Sequence, residues 1–516
     1  MLEKRSTRKY AFLIAGFVLL IGNACRLTSP TPASWSATPS AEVLARTETA
    51  AARFQKTNVV ELNETFIAYY LTATVQEATS TPKPQPTKEA SSAGPWLAFT
   101  EKEAGIVHAY EVSTGEMVHI ELPKPIYDDL RRAQIPDGRQ VYLRAGSPLN
   151  TDELALYRVD LTFGEIVKIN TLLSIDLQRR LVNQNGTRAP ETLAAVTRPD
   201  GIAWSPTGRY LAFTAALDNN SSDLYLFDTV NNRVERLNGL YTHNATPFWS
   251  PGGNWLVSQE LGEDDLGTGK RSENVTVLRV PGYDDQISLY LPDRESVGEV
   301  FVGWLNAQQF ISYSQTSDGP QNLRLIHVEN QNIKMIFADR FRQAAFDPVS
   351  GWLTFILNEE LALEAGLTAG VYLQVPDQAE YRLVRAGDWM NLAFEPGGMF
   401  IVKGSSGVFA FSSDGDELYL PRERNLQMSP LGNWMIAWGD GTDGETGARL
   451  YQPPNDRSLQ ALTNKPVEGA LWQPDSKGLF LLSDGAIYHL EFPGLDMVEI
   501  IGGISSMSPH EWIWVE

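Results

Sequence analysis

Carboxylates outnumber basic residues in this sequence, 63 Asp and Glu against 42 Lys and Arg, and two groups of them crowd together. Glu260, Glu263, Asp264 and Asp265 form one. Asp440, Asp443 and Glu445 form the other, within Gly439-Asp440-Gly441-Thr442-Asp443-Gly444-Glu445. Hard cations want several carboxylate and carbonyl oxygens, yet the spacing here completes no EF-hand or glycine-rich calcium repeat. No metal is expected; both groups read as solvated loops open to a partner. Leu172, Leu173, Leu177 and Leu181 suggest a short helix that turns Arg179 and Arg180 outward, able to grip a carboxylate or an acidic partner. The six histidines (His108, His119, His243, His327, His489 and His510) are scattered singly, with no His-Glu-x-x-His and no metal-ligand spacing. There is no Gly-x-Ser-x-Gly elbow and no phosphate-binding glycine loop, so no cofactor is expected.

The elements that would position these residues follow from a recurring phrase: a large apolar residue, a polar residue, then proline. It reads Trp204-Ser205-Pro206, Trp249-Ser250-Pro251, Phe346-Asp347-Pro348, Phe394-Glu395-Pro396, Met428-Ser429-Pro430, Trp472-Gln473-Pro474 and Met507-Ser508-Pro509. Proline has no N–H to offer a ladder and ends a strand. A nearby glycine (Gly208, Gly253, Gly351, Gly398, Gly432, Gly478) supplies a tight reversal. An apolar second strand follows, such as Tyr210-Leu211-Ala212-Phe213 or Leu479-Phe480-Leu481-Leu482. A third forms around a pair such as Leu224-Tyr225 or Ile487-Tyr488, and a fourth lies at positions such as Val234–Leu237. Four short strands per repeat make a propeller blade.

Six prolines mark six units, and weaker ones begin at Ile135-Pro136-Asp137-Gly138 and Trp304-Leu305-Asn306. Trp96-Leu97-Ala98-Phe99 lacks a preceding phrase and Met507-Ser508-Pro509 lacks the later strands, so the C-terminus is expected to close the first blade and remove the exposed edges. Literal counting gives eight units plus the split one. The usual range of four to eight blades favours eight. The expected fold is therefore all-β: a single closed propeller over 95–516 of about eight four-stranded blades, with seven to nine as bounds and an insertion at 170–200.

The strand grammar resembles the TolB-like, WD-repeat-like propellers of bacterial envelope proteins, whose unit reads W-S-P-D-G, an L-A-F strand, then L-Y. The signature aspartate survives only at Asp137 and Asp475. The resemblance implies a fold and no particular function, because propellers host binding modules, peptidase gates and lyases alike.

Residues 1–25 read as an export segment. Lys4, Arg5, Arg8 and Lys9 precede an apolar run from Ala11 to Ile21, and Ala24-Cys25 ends it. Cys25 is the sole cysteine, and its position resembles a bacterial lipoprotein processing site, which implies lipidation there and an exported chain held at the membrane in the cell envelope. Residues 26–94 form a Thr/Pro/Ala-rich stalk, with a possible helix over 41–78 suggested by Leu62, Phe66 and Ala73.

A net charge of −21 argues against nucleic acid and anionic lipid as electrostatic partners. Strand alternation puts the loops 144–153, 215–223, 259–274, 314–322, 358–370 and 439–449, with the 170–200 segment, on one face. Long loops on one face of a rigid scaffold are where binding residues usually lie. The expectation is a monomeric, non-catalytic propeller presenting Arg179, Arg180, Asp264, Asp265, Asp440, Asp443 and Glu445 to a protein or peptide partner. The alternative is a carbohydrate-active or small-molecule-binding propeller with its site in the central funnel. Acids from different blades meeting over the channel leave a paired-carboxylate glycosidase open.

Overall fold

The computed structural model describes residues 94–515, apart from 124, 137, 147–151, 181–189, 218–221, 238–242, 262–271, 281–285, 289–297, 349, 396–397, 406, 413–414, 419–424, 440–446, 453–457, 493 and 505–510. Residues 1–93, with the expected export segment, Cys25 and all of the expected stalk but Gly94, lie outside the described residues.

Each phrase builds the same local structure. In blade 3 the inner strand Ile202–Trp204 pairs with Tyr210–Ala215, and Trp204 stands opposite Leu211. Ser205 is buried. Its N–H donates to the Tyr210 carbonyl at 2.8 Å, while its hydroxyl oxygen accepts from Tyr210 N at 3.0 Å. Ser250 and Ser429 hold Trp255 and Trp434 in the same way, at 3.1 and 3.0 Å. The polar residue of the phrase thus satisfies backbone groups that the reversal would leave orphaned. Gly208 closes the turn at φ 68°, where a side chain would be strained. In blade 9 the left-handed residue is Ser476, at φ 58°, rather than Gly478.

Among the described residues nine such sheets follow one another, eight of four strands and one of three, at the upper bound of the expected seven to nine and one more than the eight favoured. The two weak units account for the difference. In blade 5, Gly298–Trp304 reverses without proline because Leu305 N donates to the Gln309 carbonyl at 2.8 Å. In blade 2 the strands Gln140–Gly146, Leu154–Asp160 and Glu165–Leu173 lack a continuous inner strand. Ile126 and Gln134 make single bridges to Ala145 and Val141, and the one-turn helix Leu130–Ala133 bulges between them.

Ring closure is as expected: Trp512–Val515 pairs antiparallel with Trp96–Glu101. Trp514 stands opposite Leu97, in the register in which Trp204 meets Leu211 and Trp472 meets Leu479. The closing strand therefore comes after Met507-Ser508-Pro509, and Trp514 holds the place of the phrase's aromatic residue. Leu97, Phe99 and Trp512 pack with Leu471, Phe480 and Leu482 of blade 9 to seal the seam.

Two loop readings change. Residues 314–322 are a tight hairpin, with strands running to Thr316 and restarting at Gly319. Residues 358–370 carry the helix Glu359–Ala365, whose first turn is capped by the Asn358 side chain accepting from Leu361 N at 2.9 Å.

Candidate functional site

Indoles of the repeat bolt neighbouring blades together. Trp249 Nε1 donates to the Ala203 carbonyl at 3.0 Å, Trp304 to Phe248 at 3.1 Å and Trp204 to Ala133 at 3.0 Å. The last of these fixes the short helix of blade 2. Its Leu130 and Ala133 are buried, Arg131 is exposed and Arg132 half-buried. Arg132 reaches the Asp200 carbonyl at 3.4 Å, and its guanidinium lies 5.8 Å from the centre of the Phe248 ring.

Below this helix, Arg144 is fully buried. Its Nε and Nη2 donate to Asp128 Oδ1 at 2.8 and 2.7 Å, and its Nη1 to the Val196 carbonyl and the Thr214 hydroxyl, each at 2.9 Å. A further bond runs to the Arg198 carbonyl. A Cβ at residue 201 would lie 2.8 Å from Arg144 Nη1, so Gly201 is needed for the guanidinium to fit. Leu177 and Val196 are buried in the same core. The described parts of the 170–200 segment, Asn170–Arg180 and Pro190–Asp200, are thus part of the folded body of blades 2 and 3.

Where the ring closes, two clefts meet. One, of about 640 Å³, is lined by Arg131, Arg132, Ile135, Trp204, Pro474 and Trp514. The other, of about 540 Å³, is lined by Val112, Asp475, His489, Glu491, Pro474 and Trp514. They share Pro474 and Trp514, whose half-buried ring leans on Phe480 with centroids 5.5 Å apart. His489 stacks on Phe480 at 4.6 Å, and its Nε2 lies 3.1 Å from the Gln473 amide nitrogen. An amide nitrogen only donates, so Nε2 accepts and the proton of the neutral ring sits on Nδ1. Burial lowers the His489 pKa and outweighs the Glu491 charge, which favours the neutral ring. Nearby, burial would raise the Asp200 pKa, but the Arg198 guanidinium, bound through both nitrogens at 2.9 Å, and the Thr246 hydroxyl hold it low.

This arrangement offers guanidiniums and flat indole faces on one wing, and an imidazole that burial keeps neutral, with Asp475 and Glu491 lining the same cleft, on the other. It suits an acidic ligand with an apolar or ring-shaped face. A third cleft, of about 740 Å³, lies between blades 4 and 5 and is lined by Trp255, Arg279, Asn306, Gln309, His327 and Glu329. All three are lined by the short turns between first and second strands and by the strand ends beside them.

Of the residues singled out from the sequence, Asp264, Asp265, Asp440, Asp443 and Glu445 lie outside the described residues, as does Cys25. Arg179 and Arg180 end the helix Ile175–Arg180, but of the leucines that suggested it only Leu177 lies on it: Leu172 and Leu173 belong to the strand Glu165–Leu173, and Leu181 lies outside the described residues. Both arginines are exposed, and Arg179 turns back to Asp176 at 3.1 Å, so neither lines a described cleft. Arg131, Arg132 and Trp514 were not singled out, and His489 appeared only as one of six scattered histidines. The signal for the first three was the departure from the repeat before Ile135-Pro136 and at the C-terminus; His489 lies in a regular third strand, Ala486–Glu491.

No family model and no curated protein matches this chain. Its fold is similar to that of solved structures. A eukaryotic initiation factor superposes with a TM-score of 0.50 at 11% identity, covering 82% of this chain and 98% of the other. The dihydro-heme d1 dehydrogenase NirN gives 0.44 at 13% identity, with 81% and 75% covered. An oligogalacturonate lyase in complex with manganese gives 0.36 at 13% identity, with 78% and 99% covered. These likenesses show the fold alone. The expectation of a non-catalytic chain is corrected to this extent: solved structures of similar fold include enzymes, so the fold gives that expectation no support. Catalytic groups drawn from separate blades leave no linear motif, so the missing motifs had excluded too much.

Proposed function

We propose that this propeller is a receptor for an acidic, ring-containing small molecule, such as an acidic oligosaccharide, bound in the paired clefts at the ring seam. The observation that carries this reading is that two clefts share Trp514 and Pro474 in their walls, one lined also by Arg131, Arg132 and the half-buried Trp204 indole, the other by His489. Guanidinium recognises a carboxylate through two parallel hydrogen bonds, and an indole face stacks on the apolar face of a sugar ring. In this reading the segment ending at Cys25 exports the chain and anchors it by lipidation, so the cleft works outside the cytoplasm. Calorimetric titration of the full chain with matched acidic and neutral oligosaccharides tests the proposal. Binding of the acidic members, lost in Arg131→Ala/Trp514→Ala, is expected; equal binding of neutral members or none at all would refute it.

A catalytic version of the same site is favoured by one observation. Burial favours the neutral His489 imidazole, and it shares its cleft with the carboxylates Asp475 and Glu491, the kinds of group that acid–base chemistry uses. Turnover of a bound oligosaccharide that disappears in His489→Gln while binding persists would establish it. Unchanged turnover in that variant would exclude it.

A further inference from the structure

His108 and His119, far apart in grammar and single in sequence, face each other across the hairpin of blade 1. They are direct cross-strand partners, on Ile106–Glu111 and Met117–Glu121. Their Nδ1 atoms lie 2.8 Å apart. His108 is 7% exposed and stacked on Phe99 at 4.6 Å, while His119 is open to solvent. Phe99, opposite His108 in the register, and Glu101, two residues further on, complete the same face.

Glu101 Oε1 lies 2.9 Å from His108 Nε2. A carboxylate only accepts, so Nε2 carries the proton and the His108 Nδ1 lone pair points at His119. A carboxylate that holds one ring nitrogen protonated while the other turns its lone pair outward is the arrangement found behind metal-bound histidines.

We infer that His108 and His119 form a two-imidazole site for a divalent transition-metal ion of the zinc or copper type, with Glu101 as the positioning carboxylate. Imidazole nitrogens suit these ions better than magnesium or calcium. At about 2.0–2.1 Å per bond and tetrahedral angles, the two Nδ1 atoms need to stand about 3.3 Å apart. The exposed His119 ring supplies that half-ångström movement. Its Nδ1 proton transfers through water to Nε2 as the ion binds, with no net change of charge on either ring. Water fills the other coordination positions, so this is an accessible site rather than a closed structural one. It is independent of the seam cleft.

The full-length protein titrated with Zn(II), and separately with Cu(II) followed by electron paramagnetic resonance, tests the assignment. One equivalent of metal is expected at this site, with two nitrogen ligands in the copper spectrum. His119→Gln, an exposed change that spares the fold, is expected to abolish that equivalent. Glu101→Gln is expected to weaken it about 10- to 100-fold. Should wild type bind neither ion, or should His119→Gln bind with unaltered stoichiometry and spectrum, the hydrogen bond between the two rings is all that the pair does and the assignment falls.

Discussion

The Trp249 indole nitrogen donates to the Ala203 carbonyl oxygen at 3.0 Å, across the boundary between blades 4 and 3. Trp304 and Trp204 repeat that bond to Phe248 and Ala133. The aromatic residue that defines the sequence repeat is therefore also a tie between one blade and the one before it. Trp472 holds the same register, yet its buried Nε1 has no hydrogen-bond partner among the described residues.

That contrast makes a direct comparison. Trp249→Phe and Trp472→Phe both remove indole volume, but only the first breaks a hydrogen bond. Chemical denaturation is expected to show Trp249→Phe to be the more destabilising by about 1 kcal/mol. Equal losses would mean that the bond contributes nothing.

Arg144 joins Asp128, Val196, Thr214 and Arg198 without exposure to water. Removing one partner of a buried ion pair leaves the other charge uncompensated, so Arg144→Ala is expected to cost about 3–5 kcal/mol. Deleting 175–198 removes the Val196 and Arg198 acceptors together with buried Leu177, and is expected to abolish the cooperative melt. A melt like that of wild type for either variant would show the segment to be dispensable.

Closure rests on Trp512, fully buried between blades 9 and 1. Trp512→Ala is expected to cost about 3–5 kcal/mol, as for other large-to-small core changes. The seam should also open first: limited proteolysis is expected to cut near the termini of the ring before its middle. Cleavage in blades 5 or 6 ahead of the seam would contradict this.

Acidification should weaken the seam in a defined direction. Burial lowers the His489 pKa in the folded state, so the unfolded chain binds the proton more readily. Stability from this group is present above the unfolded histidine pKa of about 6.5 and is lost as pH falls through the folded value. Asp475 and Glu491 are the charged groups sharing its cleft, and Glu491 opposes the shift. His489→Gln is expected to flatten the loss of melting temperature between roughly pH 7 and 5, the range in which histidine titrates. An unchanged slope would assign the pH dependence elsewhere.

The propeller was legible because its repeat is written in local chemistry: an apolar strand end, a buried Ser or Asp tying the turn, and a reversal. Blade number was less legible, since Leu305–Gln309 turns without proline and blade 2 replaces its inner strand with a helix. Closure could be read from the incomplete ends, but not the register, which Trp514 sets after the Met507-Ser508-Pro509 phrase. The seam clefts escaped the sequence because their walls come from residues 131, 204, 474, 489 and 514, brought together only by closing the ring. His108 and His119 looked solitary for a simpler reason: their pairing depends on one hairpin register, with the turn between Glu111 and Glu116.

Hydrogen exchange of the full chain, with and without the tightest-binding acidic oligosaccharide, tests the seam site most directly. Added protection is expected in 130–136, 473–475 and 511–515, around the two clefts that share Trp514. Protection confined to the long-loop face, or to the cleft between blades 4 and 5, would place the working site elsewhere and contradict the account.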